Sequence, residues 1–154
     1  MTKPALFEDA WTEAEQRAFQ YITEATQTVE NKSAFLGSNP GILNAWHLEH
    51  AAMDEGVESV LLSGDQPSIA MPYQATGAFT KRDACQKWFM RMLAAMPLRT
   101  DKDSNVALLR IRHHGAIEES EVDVANNKQS VRVWSLTLGL DLVFATGGKA
   151  NGKI

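Results

Sequence analysis

A single cysteine, Cys85, stands among 154 residues, so no intrachain disulfide can form and stability has to come from a packed core. No stretch approaches the roughly 18 consecutive apolar residues of a membrane span. The opening MTKPALFEDAWTEAEQ also lacks the apolar run of a secretory signal, and the chain is expected to fold in a reducing cytosol. Cations are in the minority, 15 Lys and Arg against 19 Asp and Glu, and a net charge of −4 argues against nucleic-acid binding as the main role. The signatures of common chemistries are missing too: there is no G-x-S-x-G, no P-loop and no Rossmann glycine pattern. Gly37 to Gly41 is too irregular to cradle phosphate, and Gly147-Gly148 has no helix after it. The sequence names no reaction, and neither a catalytic residue, a cofactor nor a resident metal is expected.

What is present is a long alternation in SVRVWSLTLGLDLVFAT, residues 130–146. Trp134, Leu136, Leu138, Leu140, Leu142 and Phe144 are large and apolar, with Ser135, Thr137, Gly139 and Asp141 between them. A period of two predicts a β-strand with one buried and one mainly polar face. Full burial of six such side chains, at roughly 1.5–3 kcal/mol each, supplies on the order of 10 kcal/mol of gross hydrophobic stabilisation.

The remaining chain reads around that strand. From Leu6 to about Lys32, Trp11, Ala14, Ala18, Ile22, Ala25 and Val29 recur every three or four positions, the stripe of an amphipathic helix. Turn formers fill Gly37 to Gly41, and Asn44 to Asp54 reads either as a short helix or as an irregular segment. Val57 to Leu62 and Ser68 to Thr76 read as extended, with Pro72 expected on an edge strand or at an irregularity because it lacks a ladder donor. Thr80 is placed to cap a second helix, whose apolar face is Ala84, Cys85, Trp88, Phe89, Met92, Leu93 and Met96, and Pro97 stops it. Val106 to His114, a turn at Gly115, Ile117 to Ala125 and a turn at Asn126-Asn127-Lys128 then predict a three-strand meander ending in the long strand. The fold expected is α+β with a mainly antiparallel sheet, a long C-terminal strand and helices packed on one face. Residues 1–146 are expected to form a single domain and 147–154 a flexible tail.

Charge makes the meander informative. Arg110, Arg112, His113 and His114 lie on one of its strands and Glu118, Glu119, Glu121 and Asp123 on the next. With His114-Gly115 as a two-residue loop, Arg110 falls opposite Glu119, and such cross-strand pairs contribute about 0.2–1 kcal/mol each. Four acids against two arginines leave acidic groups over to meet a basic surface on another chain, which makes these six residues candidates for a subunit interface. Trp46 is a further candidate, since the other tryptophans, Trp11, Trp88 and Trp134, fall on expected core faces. Cys85 reads as a buried structural thiol. On a helix His47 and His50 would share a face, with Glu49, Asp54 or Glu55 to complete a metal site, but the segment matches neither H-E-x-x-H nor its inverse.

Three stretches together, SIAMPYQATGAF (68–79), TKRDACQKWFMRML (80–93) and the long strand SVRVWSLTLGLDLVFAT, following a long first helix, resemble the tail-terminator proteins of long-tailed bacteriophages. The resemblance lies in element order and size. It implies a small α+β virion protein that forms a hexameric ring on the last ring of the tail tube, stops tube growth and presents a surface to the head connector. In a closed ring each interface would be heterologous, the acidic strand of one subunit meeting basic residues of the next. A tail-tube subunit is a neighbouring expectation, and a small enzyme or metal-binding domain using His47 to Glu55 is the rival from another class.

Overall fold

The computed structural model describes residues 7–51, 58–62, 66–99, 106–124 and 129–145. Along them run α1 (Phe7–Ala25), β1 (Ala34–Leu36), β2 (Ala45–His50), β3 (Glu58–Leu62), β4 (Gln66–Phe79), α2 (Arg82–Ala95), β5 (Val106–His114), β6 (Glu118–Val124) and β7 (Gln129–Ala145). The architecture is α+β, with one sheet that is antiparallel except for the short β1–β2 pair. The expected tail at 147–154, the turn at Asn126 to Lys128 and the candidate ligands Asp54 and Glu55 lie outside the described residues.

Two long strands, β4 and β7, pair along twelve residues from Ser68 opposite Ala145 to Phe79 opposite Trp134. Each is flanked by two short strands set end to end. Along the outer side of β4, β3 pairs with Gln66 to Ala70 and β2 with Tyr73 to Ala78. On the outer side of β7, β5 pairs with Leu138 to Phe144 and β6 with Gln129 to Ser135. The central place of β4 overturns the edge strand expected from Pro72, leaving the irregularity. Pro72 falls between the end of β3 and the start of β2, and its carbonyl accepts from Ala51 N–H at 3.0 Å, on that side of the strand. In an antiparallel ladder the N–H of a residue points with its C=O, so the missing donor faces the gap and the bonds to β7 are kept.

Both helices pack on the face that carries Leu136, Leu138, Leu140, Leu142 and Phe144, all buried as the alternation requires, with Trp134 half-buried at the end. From α1 the buried residues are Ala10, Ala14, Ala18, Phe19 and Ile22. The helix stops seven residues before the expected end. Gln27 takes a left-handed φ of 58°, and Thr28 N–H reaches Thr23 O at 3.0 Å while Gln27 N–H reaches Glu24 O at 3.2 Å, a Schellman cap with glutamine in the place glycine usually takes. Val29 therefore lies beyond the helix and is exposed. From α2, Cys85, Trp88 and Met92 are buried. Burial pushes the Cys85 thiol pKa up, against a smaller opposing pull from the Arg82 charge, which keeps it protonated and unreactive. Thr80 does not cap α2; the N-cap is Lys81 without a side-chain bond, and Thr80 donates from its backbone N–H and its hydroxyl to Asn44 Oδ1 at 3.0 and 3.1 Å.

The opposite face of β7 is less polar than the alternation suggests, because Val133, Gly139, Asp141 and Val143 are all buried there. Glycine is required at a different point. A Cβ on Gly77 would sit 2.7 Å from Phe79 Cε1 and 2.9 Å from Trp88 Cε3 and Cζ3, and both rings are buried. Gly77→Ala should thus lower stability by about 1–3 kcal/mol in a urea titration, the usual range for overpacking. Gly139→Ala meets the ring of His113, which is exposed and can turn aside, and should change the midpoint far less.

Candidate functional site

Asn44 to Asp54 holds neither a helix nor an irregular segment over its described part. Residues 45–50 form β2, in which Trp46 and Leu48 point to the helices while His47 and Glu49 point to the far face. Trp46 is fully buried between Phe19 and Trp88, with ring centroids at 5.6 and 6.2 Å, and its Nε1–H donates to Thr28 Oγ1 at 2.9 Å. It is a core residue and no interface anchor. The same strand geometry parts His47 from His50. His47 Nε2 lies 3.0 Å from Glu49 Oε2 on the far face, and His50 stands edge-on to Trp11 and Tyr73 on the helix face, each at 5.6 Å. Among the described residues no group of three His, Cys, Asp or Glu is placed to hold a metal ion.

A half-buried polar chain ties α1 to β4: Trp11 Nε1–H donates to the Tyr73 hydroxyl at 2.5 Å, and that hydroxyl donates to Glu15 Oε2 at 2.6 Å. Burial, then the Glu15 hydrogen bond and charge, push the Tyr73 pKa far above the usual phenol value, against a smaller opposite effect from Trp11. Tyr73 stays neutral and acts as a strut.

The meander expected around Gly115 is absent. β5 and β6 run in the same direction along one edge of β7, and Gly115 N–H donates to Thr137 O at 3.1 Å, so Gly115 to Ile117 is a break in one line of pairing and no reversal occurs. Arg110 consequently never faces Glu119. It lies opposite Asp141, donating from Nε to Oδ2 at 3.0 Å, and Arg112 Nε reaches Asp141 Oδ1 at 3.1 Å. The carboxylate they share is 6% exposed. Two of the interface candidates are therefore occupied within the subunit.

The four acids are placed otherwise. β7 pairs with β4 from Trp134 onward, so Gln129 to Val133 and the β6 residues opposite them form a two-stranded arm beyond the end of β4, about 17 Å long at about 3.4 Å per residue. Among the described residues β6 pairs with β7 alone, which leaves its outer edge open to another strand or chain. Alternation puts Glu119, Glu121 and Asp123 on one side of the ribbon, and Glu118, Ser120 and Val122 on the other beside Val131 and Val133. All four acids are exposed, and Val122 is 44% exposed. Glu119 accepts from Arg132 Nε at 2.8 Å, a solvated pair worth little by itself. With Arg110 and Arg112 committed to Asp141, the four acids of β6 are set against Arg132 alone among the described residues of the ribbon, a larger acidic surplus than the sequence suggested.

The sequence reading missed Asp141 as the centre of an ion cluster and Arg132 as the cation of the arm. A carboxylate alone among the leucines of a buried strand is the signal that it has a cationic partner on the next one. Comparison of the chain with protein-family models and with curated protein sequences finds no match.

Proposed function

We propose that the chain is a structural subunit of a tailed-phage particle, a tail terminator or a neighbouring head-to-tail joining protein, that closes with copies of itself into a ring at the end of the tail tube. The observation that supports assembly is the arm: a two-stranded extension whose two outer edges are unpaired among the described residues, with an acidic side and a partly exposed valine side. An isolated two-stranded ribbon is marginal in water, so docking against a neighbour supplies what the subunit itself does not. The particle rests on the resemblance, whose three stretches fold here as strand, helix and long strand in one α+β sheet. The parted histidines of β2 remove the geometry on which the metal reading drew.

In a ring the end of the tube is met by one face and the head connector by the other, so the partners are tail-tube and connector proteins and the location is the virion neck. Light scattering of the purified chain should give a multiple of its 17.0 kDa mass, six for a hexamer, and negative-stain images should show closed rings. A monomer at every concentration up to millimolar, alone and with purified tail tubes, overturns this reading.

A further inference from the structure

We infer that the arm of one copy docks in a groove on the outer side of α2 in the next copy. This rests on the ring reading and names the surface that receives the arm. The groove encloses about 300 Å3 between α2, the turn after α1 and the start of β2. Phe79 and Trp88 line its apolar part, Lys87 and Arg91 are its charges, and Thr28 and Asn44 add polar groups; among the described residues no carboxylate lines it. Its rim is fixed from within, since Arg91 Nη1 donates to Thr26 O at 3.3 Å and Asn44 holds Thr80.

The arm carries the complementary set. On the arm Glu121 and Asp123 share one side with Arg132, which Glu119 holds at the root, so these two carboxylates enter together and meet the exposed Lys87 and Arg91. The groove lies against the start of β2 and the end of β4, and the arm is built from β7 and β6, the next strands along the sheet. Phe79, which lines the groove, pairs with Trp134 at the root of the arm, and the arm runs on from there beyond the end of β4. An arm that extends past its own groove and reaches the groove of the next copy makes a head-to-tail contact, which closes into a ring when the rotation permits.

Charge exchange tests this. Glu121→Lys with Asp123→Lys leaves the Glu119–Arg132 pair in place and should weaken self-association at least about tenfold, as should Lys87→Glu with Arg91→Glu, while the melting of the dilute subunit stays near that of the parent. All four side chains are exposed, but Arg91→Glu also gives up the hydrogen bond to Thr26 O, so Lys87→Glu alone, which breaks no such bond, is the control for folding. One chain carrying all four substitutions should reassemble, and an equimolar mixture of the two double variants should form mixed rings. Separately, Glu121→Cys with Lys87→Cys should give a ladder of disulfide-linked multimers on oxidation, Cys85 being buried and inert. Assembly that is unmoved by the groove substitutions, or that the fourfold variant fails to recover, overturns the groove and leaves the ring reading standing. A parent chain that never assembles overturns both.

Discussion

Trp46→Ala should cost about 3–5 kcal/mol, the range for emptying a fully buried tryptophan. For a domain of this length that is about a third or more of a typical total stability and a fall of roughly 10 °C or more in Tm. The indole fills the space between Phe19 of α1 and Trp88 of α2, so its loss separates both helices from β2, and Thr28 loses a donor as well. Trp46→Phe keeps most of the ring contact and should lose chiefly that hydrogen bond, about 0.5–1.5 kcal/mol. The readout is urea denaturation at two widely separated protein concentrations. A core residue gives the same loss in both, whereas an interface anchor would leave the dilute protein untouched and weaken the concentrated one.

That contrast shows how much of the molecule could be read in advance. The helix-facing leucines of β7 and the buried faces of α1 and α2 follow from periodicity, because a buried stripe leaves its period in the sequence. Trp46 was harder, since its strand is six residues long, sits after an irregular turn and is fixed by pairing with β4, a partner more than twenty residues away. The reversal at Gly115 was misread because a glycine between strands of opposite charge resembles a hairpin. Length held the correction: β7 has 17 residues, β5 and β6 have 9 and 7, and two short strands end to end match one long one where a single hairpin partner does not. From that one misplacement followed the pairing of Arg110 with Glu119, and with it the underestimate of the free acidic charge. The expected hairpin of β5 and β6 does not form; the ribbon that projects is β6 with β7, and how far it projects depends on where β4 stops, which local pattern does not mark.

The second large effect concerns the charge that this correction uncovers. Arg110→Met together with Arg112→Met leaves the Asp141 carboxylate, 6% exposed, without either cation, and should cost about 3–5 kcal/mol, the usual result of stranding one member of a buried ion pair. Each single substitution should cost less than half of that, since the second guanidinium remains in reach of the other carboxylate oxygen. Asp141→Ala should also be milder, because the side chains of Arg110 and Arg112 are 54% and 32% exposed and water can take over their hydrogen bonding. Adding Asp141→Asn to the double arginine variant should recover most of the lost stability, as removing a whole buried ion cluster is often near neutral. Asp141→Asn alone, the double arginine variant and their combination, compared with the parent by urea midpoint, form a cycle whose coupling should be several times that of the exposed Glu119–Arg132 pair. The clamp binds β5 to β7 beside the register shift between Ile111 and His113, just before the break at Gly115 that separates β5 from β6. On the ring proposed above, loosening it should weaken self-association as well as folding, while variants confined to the arm and the groove should weaken self-association alone.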